Sequence, residues 1–364
     1  MNMHAAPGSA HGDSGSAASA IRVFIIDDSS MVRAIFSRLV SNAAGLELAG
    51  TAVSAEDALS QFSSLHVHVI LLDLEMPGMG GMRALPEIIK RTGSAKVMVV
   101  SSLTGEGAEH TVTALALGAA DALLKPNPGG FDQYYRDQLV KRIRSLGRRP
   151  LRRAPDDTLA SKPLHVRRAQ TAARPEILAI GASTGGIHAT GQLLSALNQA
   201  IRIPIIVTQH LPTEFTHPYA NQLSAISGRD VVIAAEGLSL VPDRVYLAPG
   251  DAHVTVARVK KDVVIRLDRK VSETGCMPSV DQMFASLAQV YGAHVLGVVL
   301  TGMGRDGTLG ARDVVEAGGN ILVQNEASSA VWGMPGSIAR AGLASAMLHP
   351  HDLAIRIAAS LGPV

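Results

Sequence analysis

The chain has 364 residues, enough for two ordinary domains that each bury a core of their own. Hydrophobic residues make up 47% and charged residues 18%, which argues against wholesale disorder, and the net charge of +2 excludes strong global attraction to nucleic acid or to an anionic membrane. The single cysteine, Cys276, excludes an internal disulfide framework and fits a reducing cytoplasm, where we expect the protein to work.

The first 20 residues are predicted to form a disordered leader. They are rich in Ala, Ser, Gly and His, contain no continuous apolar segment and carry no early Lys or Arg, so they are not a signal peptide. No stretch of the chain approaches the roughly 20 apolar residues that cross a bilayer. No direct membrane insertion is therefore expected.

Residues 21–146 alternate short apolar runs with amphipathic segments and are predicted to form the first domain. The pattern predicts a five-stranded parallel sheet with helices on both faces, a (βα)5 domain, in which function gathers at the carboxyl ends of the strands. The predicted strands are Arg22–Ile26, Leu48–Val53, Val67–Leu72, Lys96–Val100 and Ala120–Leu124. The predicted helices are Ser30–Ser41, Ala55–Ser64, Gly81–Lys90, Glu106–Leu117 and Phe131–Ser145.

Residues 147–175 interrupt this alternation. They contain several prolines and many arginines but no periodic apolar face, so they are predicted to be a linker. A basic run can also bind nucleic acid, but no aromatic residues interleave this one, and no nucleic-acid partner is expected.

Residues 176–364 resume an α/β pattern that is larger and different, and they are predicted to form a second, doubly wound α/β domain. The predicted strands are Ile177–Gly181, Ile203–Thr208, Asp230–Ala234, Arg244–Ala248, Val263–Leu267, His294–Leu300 and Asn320–Val323. The predicted helices are Gly186–Leu197, Glu214–Ile226, Val280–Tyr291 and Thr308–Ala317.

Polar residues at the strand ends of the first domain predict a site for a cation and a phosphoryl group. Asp27 and Asp28 follow the first strand and Asp73 follows the third, so three carboxylates can cluster, which is unfavourable unless a cation such as Mg²⁺ compensates them. Lys125 and Ser101 end two further strands. In this interpretation Asp73 attacks phosphorus while Mg²⁺ and Lys125 neutralise the developing charge. The aspartate pair taken alone could instead cap the next helix.

These residues, in this order, resemble the receiver domain of two-component response regulators over residues 21–146. The resemblance implies that Asp73 is the phosphoacceptor and that Ser101 and Lys125 are the switch residues. The metal ligands that it implies are Asp27, Asp28, Asp73 and the backbone carbonyl of Glu75. Receiver domains usually have an aromatic residue three positions before the lysine, where Ala122 stands here, so an aromatic switch is not expected.

The second domain opens with a glycine-rich turn around Ser183. Gly181-x-Ser183-x-Gly185 follows an apolar strand and fits the strand–turn–helix elbow that exposes a nucleophilic hydroxyl next to a helix N-terminus, where N–H groups can stabilise an oxyanion. Such turns also bind dinucleotides, which requires an acidic residue at the end of the next strand. His210 follows that strand here, which favours hydrolysis over a nicotinamide site.

A nucleophilic serine needs a base, and the base needs an orienting acid. His210 is the best candidate for the base, and Asp306, in the glycine-rich segment after a later apolar strand, is the best candidate for the acid. Taken alone, the histidine could be a capping or exposed residue and the aspartate a helix N-cap. The order of Ser183, His210 and Asp306 differs from that of α/β-hydrolases, in which His349 or His351 would be the base.

The segments GASTGG, TQHLP, APGDAHV, PSVDQMF, TGMGRDG and NEASSAVWGMP, in that order, resemble the catalytic domain of chemotaxis protein-glutamate methylesterases over roughly residues 176–360. The resemblance implies that Ser183 is the nucleophile, His210 the general base and Asp306 its orienting partner. It also implies that the backbone N–H groups of Met303 and Thr184 form the oxyanion hole.

Together the two resemblances imply a phosphorylation-activated hydrolase that removes methyl esters from glutamate side chains of chemoreceptors and deamidates particular receptor glutamines. The expected partners are methyl-accepting chemoreceptors as substrates and the chemotaxis histidine kinase as phosphodonor. Mg²⁺ is the expected cofactor of the receiver site, and none is expected for the esterase reaction. The alternative is a response regulator whose output domain is not an enzyme and binds DNA or a protein.

Overall fold

The computed structural model describes residues 20–101, 105–126, 130–147, 167, 173–197 and 201–362. Nearly all of the predicted leader 1–20 and most of the predicted linker 147–175 lie outside the described residues. Within the described ranges, no helix has both the length and the apolar character that crossing a membrane requires.

The first domain is the predicted five-stranded parallel sheet, with the strand order β2-β1-β3-β4-β5. Its strands are β1 (Ile21–Ile26), β2 (Leu46–Ala52), β3 (Val69–Asp73), β4 (Lys96–Ser101) and β5 (Asp121–Leu124). Its helices are α1 (Ser30–Asn42), α2 (Ala55–Gln61), α3 (Gly80–Thr92), α4 (Gly105–Ala116) and α5 (Gln133–Gly147). All five residues of β3 are buried, as expected for a central strand covered on both faces.

The second domain contains a seven-stranded parallel sheet with the order β14-β13-β12-β6-β7-β9-β8 and a separate antiparallel hairpin of β10 and β11. Its strands are β6 (Ile177–Ala182), β7 (Ile205–Gln209), β8 (Asp230–Ile233), β9 (Arg244–Leu247), β10 (His253–Val259), β11 (Asp262–Asp268), β12 (Val295–Val299), β13 (Asn320–Gln324) and β14 (Ala344–Leu348). Its helices are α6 (Gly186–Ala196), α7 (Thr216–Ser227), α8 (Val280–Tyr291), α9 (Thr308–Glu316), α10 (Met334–Arg340) and α11 (Pro350–Leu361).

The sequence did not predict four of these elements, namely β10, β14, α10 and α11. Strand β14 is short, rich in alanine and lies at the sheet edge, so it has no long β-branched apolar run to reveal it. Strand β10 has polar residues at alternate positions and belongs to a hairpin outside the main sheet.

Both sheets have a topological switch point beside the first strand of the domain. Strand β1 lies between β2 and β3, and β6 lies between β7 and β12. Ligands of open α/β sheets bind in the crevice at the carboxyl ends of strands at such a point. The candidate carboxylates of the first domain follow β1 and β3, and the candidate residues of the second domain follow β6, β7 and β12, so both candidate sites lie where this rule expects them.

The two domains contact each other through one face of the first domain. Helix α4 packs against α6 and α7 of the second domain, and His188 Nδ1 at the start of α6 donates a 2.7 Å hydrogen bond to the carbonyl oxygen of Ala116 at the end of α4. Ala330 and Val331 of the second domain pack against the buried cluster that underlies α5. The first domain therefore covers the side of the second domain that carries the glycine-rich serine turn.

Candidate functional site

The carboxylates of the first domain form the predicted cluster. Oxygen atoms of Asp27, Asp28 and Asp73 lie within 4.8 Å of one another, because the paired strands β1 and β3 end side by side. Lys125 follows β5, and its Nζ donates a hydrogen bond to Asp73 Oδ2 and lies 3.4 Å from Asp27 Oδ2. The backbone N–H of Glu75 donates to Asp73 Oδ1 at 3.1 Å, which orients the phosphoacceptor candidate.

The two buried carboxylates of this cluster are poorly compensated. Burial raises the pKa of Asp73 to about 6, although the hydrogen bond and charge of Lys125 oppose that shift. Burial also raises the pKa of Asp27, whose Oδ2 accepts no hydrogen bond from any described residue. Clustered carboxylate oxygens are the ligands that a hard divalent cation prefers, and Asp27 Oδ2 is buried without a donor, so the residues fit Mg²⁺. The carbonyl of Glu75 as a further ligand stays a prediction.

The predicted switch residue Ser101 has a partner that the sequence did not reveal. Ser101 is the last residue of β4, and its buried hydroxyl donates a 2.6 Å hydrogen bond to Thr111 Oγ1, because the Thr111 proton goes to the carbonyl of Gly107 at 2.7 Å. Thr111 lies on α4 and is fully buried. The hydroxyl of the first site is therefore linked directly to the helix that packs against the second domain.

In the second domain, Ser183 lies in the turn between β6 and α6, and its backbone is held on both sides. The N–H of Ser183 donates to the carbonyl of Thr301 at 3.0 Å, and its carbonyl accepts from Gln209 Nε2 at 2.8 Å. Gly185 has a φ of +77°, a conformation that residues with a side chain rarely adopt. A Cβ at Gly186 would lie 2.3 Å from Gln209 Oε1, so the motif needs glycine there.

His210 follows β7 and lies beside the serine turn, because its N–H donates to the carbonyl of Ala182 at 3.0 Å. Its Nε2–H donates to Asp306 Oδ2 at 2.8 Å, which leaves Nδ1 as the acceptor nitrogen of the neutral ring. Within the described residues, neither Ser183 Oγ nor His210 Nδ1 makes a hydrogen bond. The structure thus joins the imidazole to the carboxylate and places the serine turn at the neighbouring strand end.

Asp306 follows β12 and is almost completely buried. Besides His210, the donors to its carboxylate are the N–H of Val280 (2.7 Å), Ser279 Oγ (2.8 Å), Thr274 Oγ1 (3.2 Å) and the N–H of Asp281 (3.3 Å). Burial by itself raises the pKa of Asp306, but the hydrogen bond and charge of His210, the Val280 N–H and the Ser279 hydroxyl outweigh it and lower the pKa well below its usual value. Asp306 therefore stays ionised at neutral pH.

The N-terminus of α8 holds Asp306, a contact that was not predicted from the sequence. The segment from Ser279 to Gln282 has the S-x-x-Q spacing of a capping box, which predicts a helix start with free N–H groups. Ser279 caps α8, and its hydroxyl also donates to Asp306. A helix N-terminus stabilises negative charge. The S-x-x-Q spacing could therefore have indicated that the start of α8 binds a carboxylate such as that of Asp306.

The two predicted oxyanion donors lie next to the serine. The N–H groups of Thr184 and Met303 donate to no acceptor within the described residues. The loop that carries Met303 runs close to the nucleophile candidate, since a Cβ at Gly302 would lie 2.7 Å from Ser183 Cβ. The Thr301 hydroxyl donates to the carbonyl of Thr184 at 2.9 Å and fixes the same turn. The assignment of these two N–H groups to an oxyanion hole stays a prediction.

The alternative bases of the α/β-hydrolase interpretation are not brought to this site. His349 precedes α11, where its Nδ1 accepts the N–H of His351 at 3.2 Å. His351 lies 3.7 Å from the carboxylate of its neighbour Asp352. Both follow the edge strand β14, which β13 and β12 separate from β6.

The first domain reaches the serine site through side chains of β5 and α5. Asp121 Oδ1 accepts a 2.8 Å hydrogen bond from Arg142, and its Oδ2 lies 3.4 Å from Thr184 Oγ1, beside the nucleophile candidate. Ser145 Oγ lies 3.3 Å from Met303 Sδ. Both candidate oxyanion residues therefore carry side chains in contact with the first domain.

Comparison with known proteins assigns both halves. The family model for CheB methylesterase matches residues 178–357, and that for the response regulator receiver domain matches residues 23–133. The protein-glutamate methylesterase/protein-glutamine glutaminase 1 of Paramagnetospirillum magneticum is 38% identical and aligns with 93% of this chain and 95% of its own. Protein-glutamate methylesterase/protein-glutamine glutaminase 2 of Caulobacter vibrioides is 41% identical, with coverage of 90% and 95%.

Among solved structures, the CheB methylesterase catalytic domain of Thermotoga maritima is 32% identical and covers 51% of this chain and 98% of its own, with a TM-score of 0.49. The predicted resemblances of both halves are confirmed by the family models and the relatives. They favour an enzymatic second domain over one that binds DNA or a protein. With a receiver domain followed by a methylesterase domain, the chain belongs to the CheB methylesterase family.

Proposed function

We propose that the chain is a phosphorylation-activated hydrolase that removes methyl esters from glutamate side chains of chemoreceptors in the cytoplasm. The observation that carries the proposal is the His210–Asp306 pair, joined at 2.8 Å, beside the Ser183 turn. The names of the relatives, protein-glutamate methylesterase/protein-glutamine glutaminase, supply the substrate class. The proposed receiver is residues 21–146, the linker 147–175 and the catalytic domain 176–364.

In the proposed reaction, Ser183 Oγ attacks the carbonyl carbon of the ester while its proton moves to His210 Nδ1. The oxyanion accepts hydrogen bonds from the N–H groups of Met303 and Thr184. The C–O bond to the methoxy group then breaks, and His210 returns the proton so that methanol leaves. Asp306 remains ionised throughout and fixes the orientation of the imidazole.

The acyl-enzyme is resolved by water. His210 removes a proton from the water, hydroxide adds to the ester carbon, and Ser183 Oγ leaves with the proton, which frees the glutamate side chain. A receptor glutamine would follow the same steps with ammonia as the leaving group. This common chemistry supports both activities in the names of the relatives.

The proposed phosphoacceptor is Asp73, which attacks the phosphoryl group supplied by the chemotaxis histidine kinase. Asp27, Asp28, Asp73 and the Glu75 carbonyl would hold Mg²⁺, which neutralises charge on the phosphoryl oxygens. Lys125 already bonds to Asp73 and would stabilise the phosphoryl oxygens once the phosphoryl group is in place. This part of the proposal is supported by the burial of Asp27 and Asp73, which raises the pKa of both carboxyl groups.

Regulation is proposed to act on the domain contact. The first domain covers the serine turn through Asp121 and Ser145, which supports an inhibited arrangement when Asp73 is unmodified. A phosphoryl group on Asp73 would draw the Ser101 hydroxyl away from Thr111, and α4 would lose one of its anchors. Because Ala122 stands at the usual aromatic position, the proposed activation passes through the Ser101 hydroxyl and not through an aromatic side chain.

The domain contact is tested with Asp121→Asn, which weakens the buried interaction with Arg142 and Thr184. We expect basal methanol release without a phosphodonor to rise about fivefold, the effect of roughly 1 kcal/mol on the closed arrangement. The matched control is Asp137→Asn on the exposed face of α5, which should leave the basal rate unchanged. Equal basal rates for Asp121→Asn and the wild type would refute inhibition through this contact.

The activity itself is tested by methanol release from methylated receptor membranes, with and without a small-molecule phosphodonor and Mg²⁺. We expect release by the chain alone and faster release with the phosphodonor. No release under either condition would contradict the proposed hydrolysis, and release that ignores the phosphodonor would contradict the proposed regulation.

A further inference from the structure

Asp281 is a second carboxyl group that lies against Asp306 but has no place in the proposed triad. It is the second residue of α8, and its N–H donates to Asp306 Oδ1 at 3.3 Å. Its own Oδ1 accepts the N–H of Gly310, in the first turn of α9, at 2.8 Å. Asp281 thus ties the helix end that holds Asp306 to the helix that follows the Asp306 loop.

The other carboxyl oxygen of Asp281 is buried and accepts no hydrogen bond from any described residue. A buried carboxylate oxygen without a donor makes the ionised form costly. Burial raises the pKa of Asp281 to about 7, the Gly310 N–H opposes that shift, and the neighbouring charge of Asp306 adds to it. The charge on Asp281 therefore changes within the neutral range, while Asp306 remains ionised.

The titratable groups that face this helix end come from several elements. Glu273, from the loop before α8, and Asp313, from α9, line one cavity together with Asp281. Burial raises the pKa of the Cys276 thiol, and the nearby charges of Asp306 and Asp281 raise it further. From β10, His253 accepts the Ser279 N–H at Nδ1 and donates to the carbonyl of Lys270 from Nε2.

We propose that Asp281 is a positioning residue of the esterase reaction, whose negative charge beside Asp306 stabilises the protonated form of His210. The inference rests on the proposed function, because it assigns a role within that reaction. When Ser183 attacks, the imidazole takes its proton and becomes a cation, and a second carboxylate near the Asp306–His210 pair lowers the energy of that cation. No atom passes to or from Asp281 during turnover.

The test compares kcat of the wild type and of Asp281→Asn, measured as methanol release between about pH 5.5 and 8.5. Asparagine keeps the shape and the oxygen that accepts from Gly310, but it does not ionise. We expect a wild-type to variant ratio near 1 at the acid end, rising with a midpoint near pH 7 to about tenfold at the alkaline end. A ratio that does not change with pH overturns the inference, since a purely structural role would give that result.

The matched control is Asp313→Asn, which removes another carboxylate from the same cavity. Asp313 is exposed on α9, so its ratio should stay near 1 across the pH range. A control ratio that rises as steeply as that of Asp281→Asn would overturn the assignment to Asp281, because any nearby charge would then do the same.

A second measurement does not depend on turnover. The carboxyl carbon of Asp281 is titrated by NMR in the full-length wild type and in Asp306→Asn. We expect a midpoint near 7 in the wild type and a lower one in the variant, which lacks the repelling charge. A wild-type midpoint below about 5 overturns the inference, whereas absence of methanol release with the expected titration contradicts only the proposed function.

Discussion

Each of the two domains has a buried carboxylate at the same location in its fold, but the pKa of one is raised and that of the other is lowered. Asp73 in the receiver and Asp306 in the methylesterase domain both lie at the carboxyl end of a parallel sheet, beside a switch point. Asp73 clusters with Asp27 and Asp28, and burial raises its pKa, to which the charge of Asp27 adds. Asp306 is surrounded by donors from α8 and from His210, and its pKa is lowered.

This difference shows how surroundings decide what a carboxylate can do. A carboxylate that is buried beside other carboxylates, such as Asp73, attracts a cation and can accept a phosphoryl group. A carboxylate with every lone pair engaged, such as Asp306, is held in one orientation and serves to orient and stabilise an imidazole.

The largest effect is expected from Ser183→Ala, which removes the proposed nucleophile. The rate of methanol release from methylated receptor should fall by about 10⁴ to 10⁶, as is typical for nucleophilic serines of this kind. A control on the other side of the site is Thr274→Val, which removes only one of the hydrogen bonds to Asp306 and should lose far less. Wild-type turnover by Ser183→Ala would refute the assignment.

The next effect is expected from Asp306→Asn, which leaves the shape of the site but alters the partner of His210 Nε2. An amide in place of the carboxylate favours the wrong imidazole tautomer, and kcat should fall on the order of 10⁴. The same isosteric change at Asp73 should leave the basal rate unaltered. If both changes reduced basal turnover equally, the contrast between the two carboxylates would be wrong.

Asp73→Asn is expected to abolish the stimulation by a phosphodonor while it preserves the basal rate, because the amide cannot accept the phosphoryl group. The measurement is methanol release with and without phosphodonor and Mg²⁺. Glu47→Gln on the edge strand β2 is the control and should respond like the wild type. Stimulation that persists in Asp73→Asn would show that another group accepts the phosphoryl group.

The smallest effects are on stability, and the two carboxylates should have opposite signs. The folded pKa of Asp73 is about 6 against 3.8 for the ordinary group, so between these values the folded chain keeps a proton that the unfolded chain has lost. The free energy of unfolding should therefore fall by up to about 3 kcal/mol as the pH rises from about 4 to above 6 without Mg²⁺. The lowered pKa of Asp306 has the reverse effect. Its contribution to the free energy of unfolding is present at neutral pH and is lost as the pH falls below 3.8.

Calorimetric unfolding of the full chain without Mg²⁺ checks these signs. Near pH 7.5, Asp73→Asn should be more stable than the wild type and Asp306→Asn less stable, and near pH 3.5 the advantage of Asp73→Asn should vanish. Addition of Mg²⁺ should stabilise the wild type more than Asp73→Asn. The same direction of change for both variants would contradict the proposed difference in their surroundings.

The features that the sequence could predict are those with local patterns. Apolar runs located the receiver strands to within a few residues, and the positions of Asp73, Lys125 and His210 after such runs identified the candidate sites. The donors of Asp306 come from α8, more than 20 residues earlier in the chain, and no local pattern connects the two segments. Only the capping-box spacing at Ser279 pointed to that helix end.

The residues that form the contact between the two domains were not predicted from the sequence. Asp121, Thr184, Ser145 and Met303 meet because two separately folded sheets pack together, and such packing leaves no periodic signal along one chain. The bond between Thr111 and Ser101 was missed for a similar reason, since a buried threonine on an apolar helix face is indistinguishable by pattern from a core residue.

The most direct test of the central claim is whether Ser183 and Asp306 act as one unit through His210. The measurement is the methanol-release rate of the Ser183→Ala/Asp306→Asn double variant beside both single variants. Groups that serve a single proton-transfer step give strongly non-additive losses, so the double variant should be about as slow as Ser183→Ala. Losses that multiply in the double variant would show that the two residues act independently and would contradict the account.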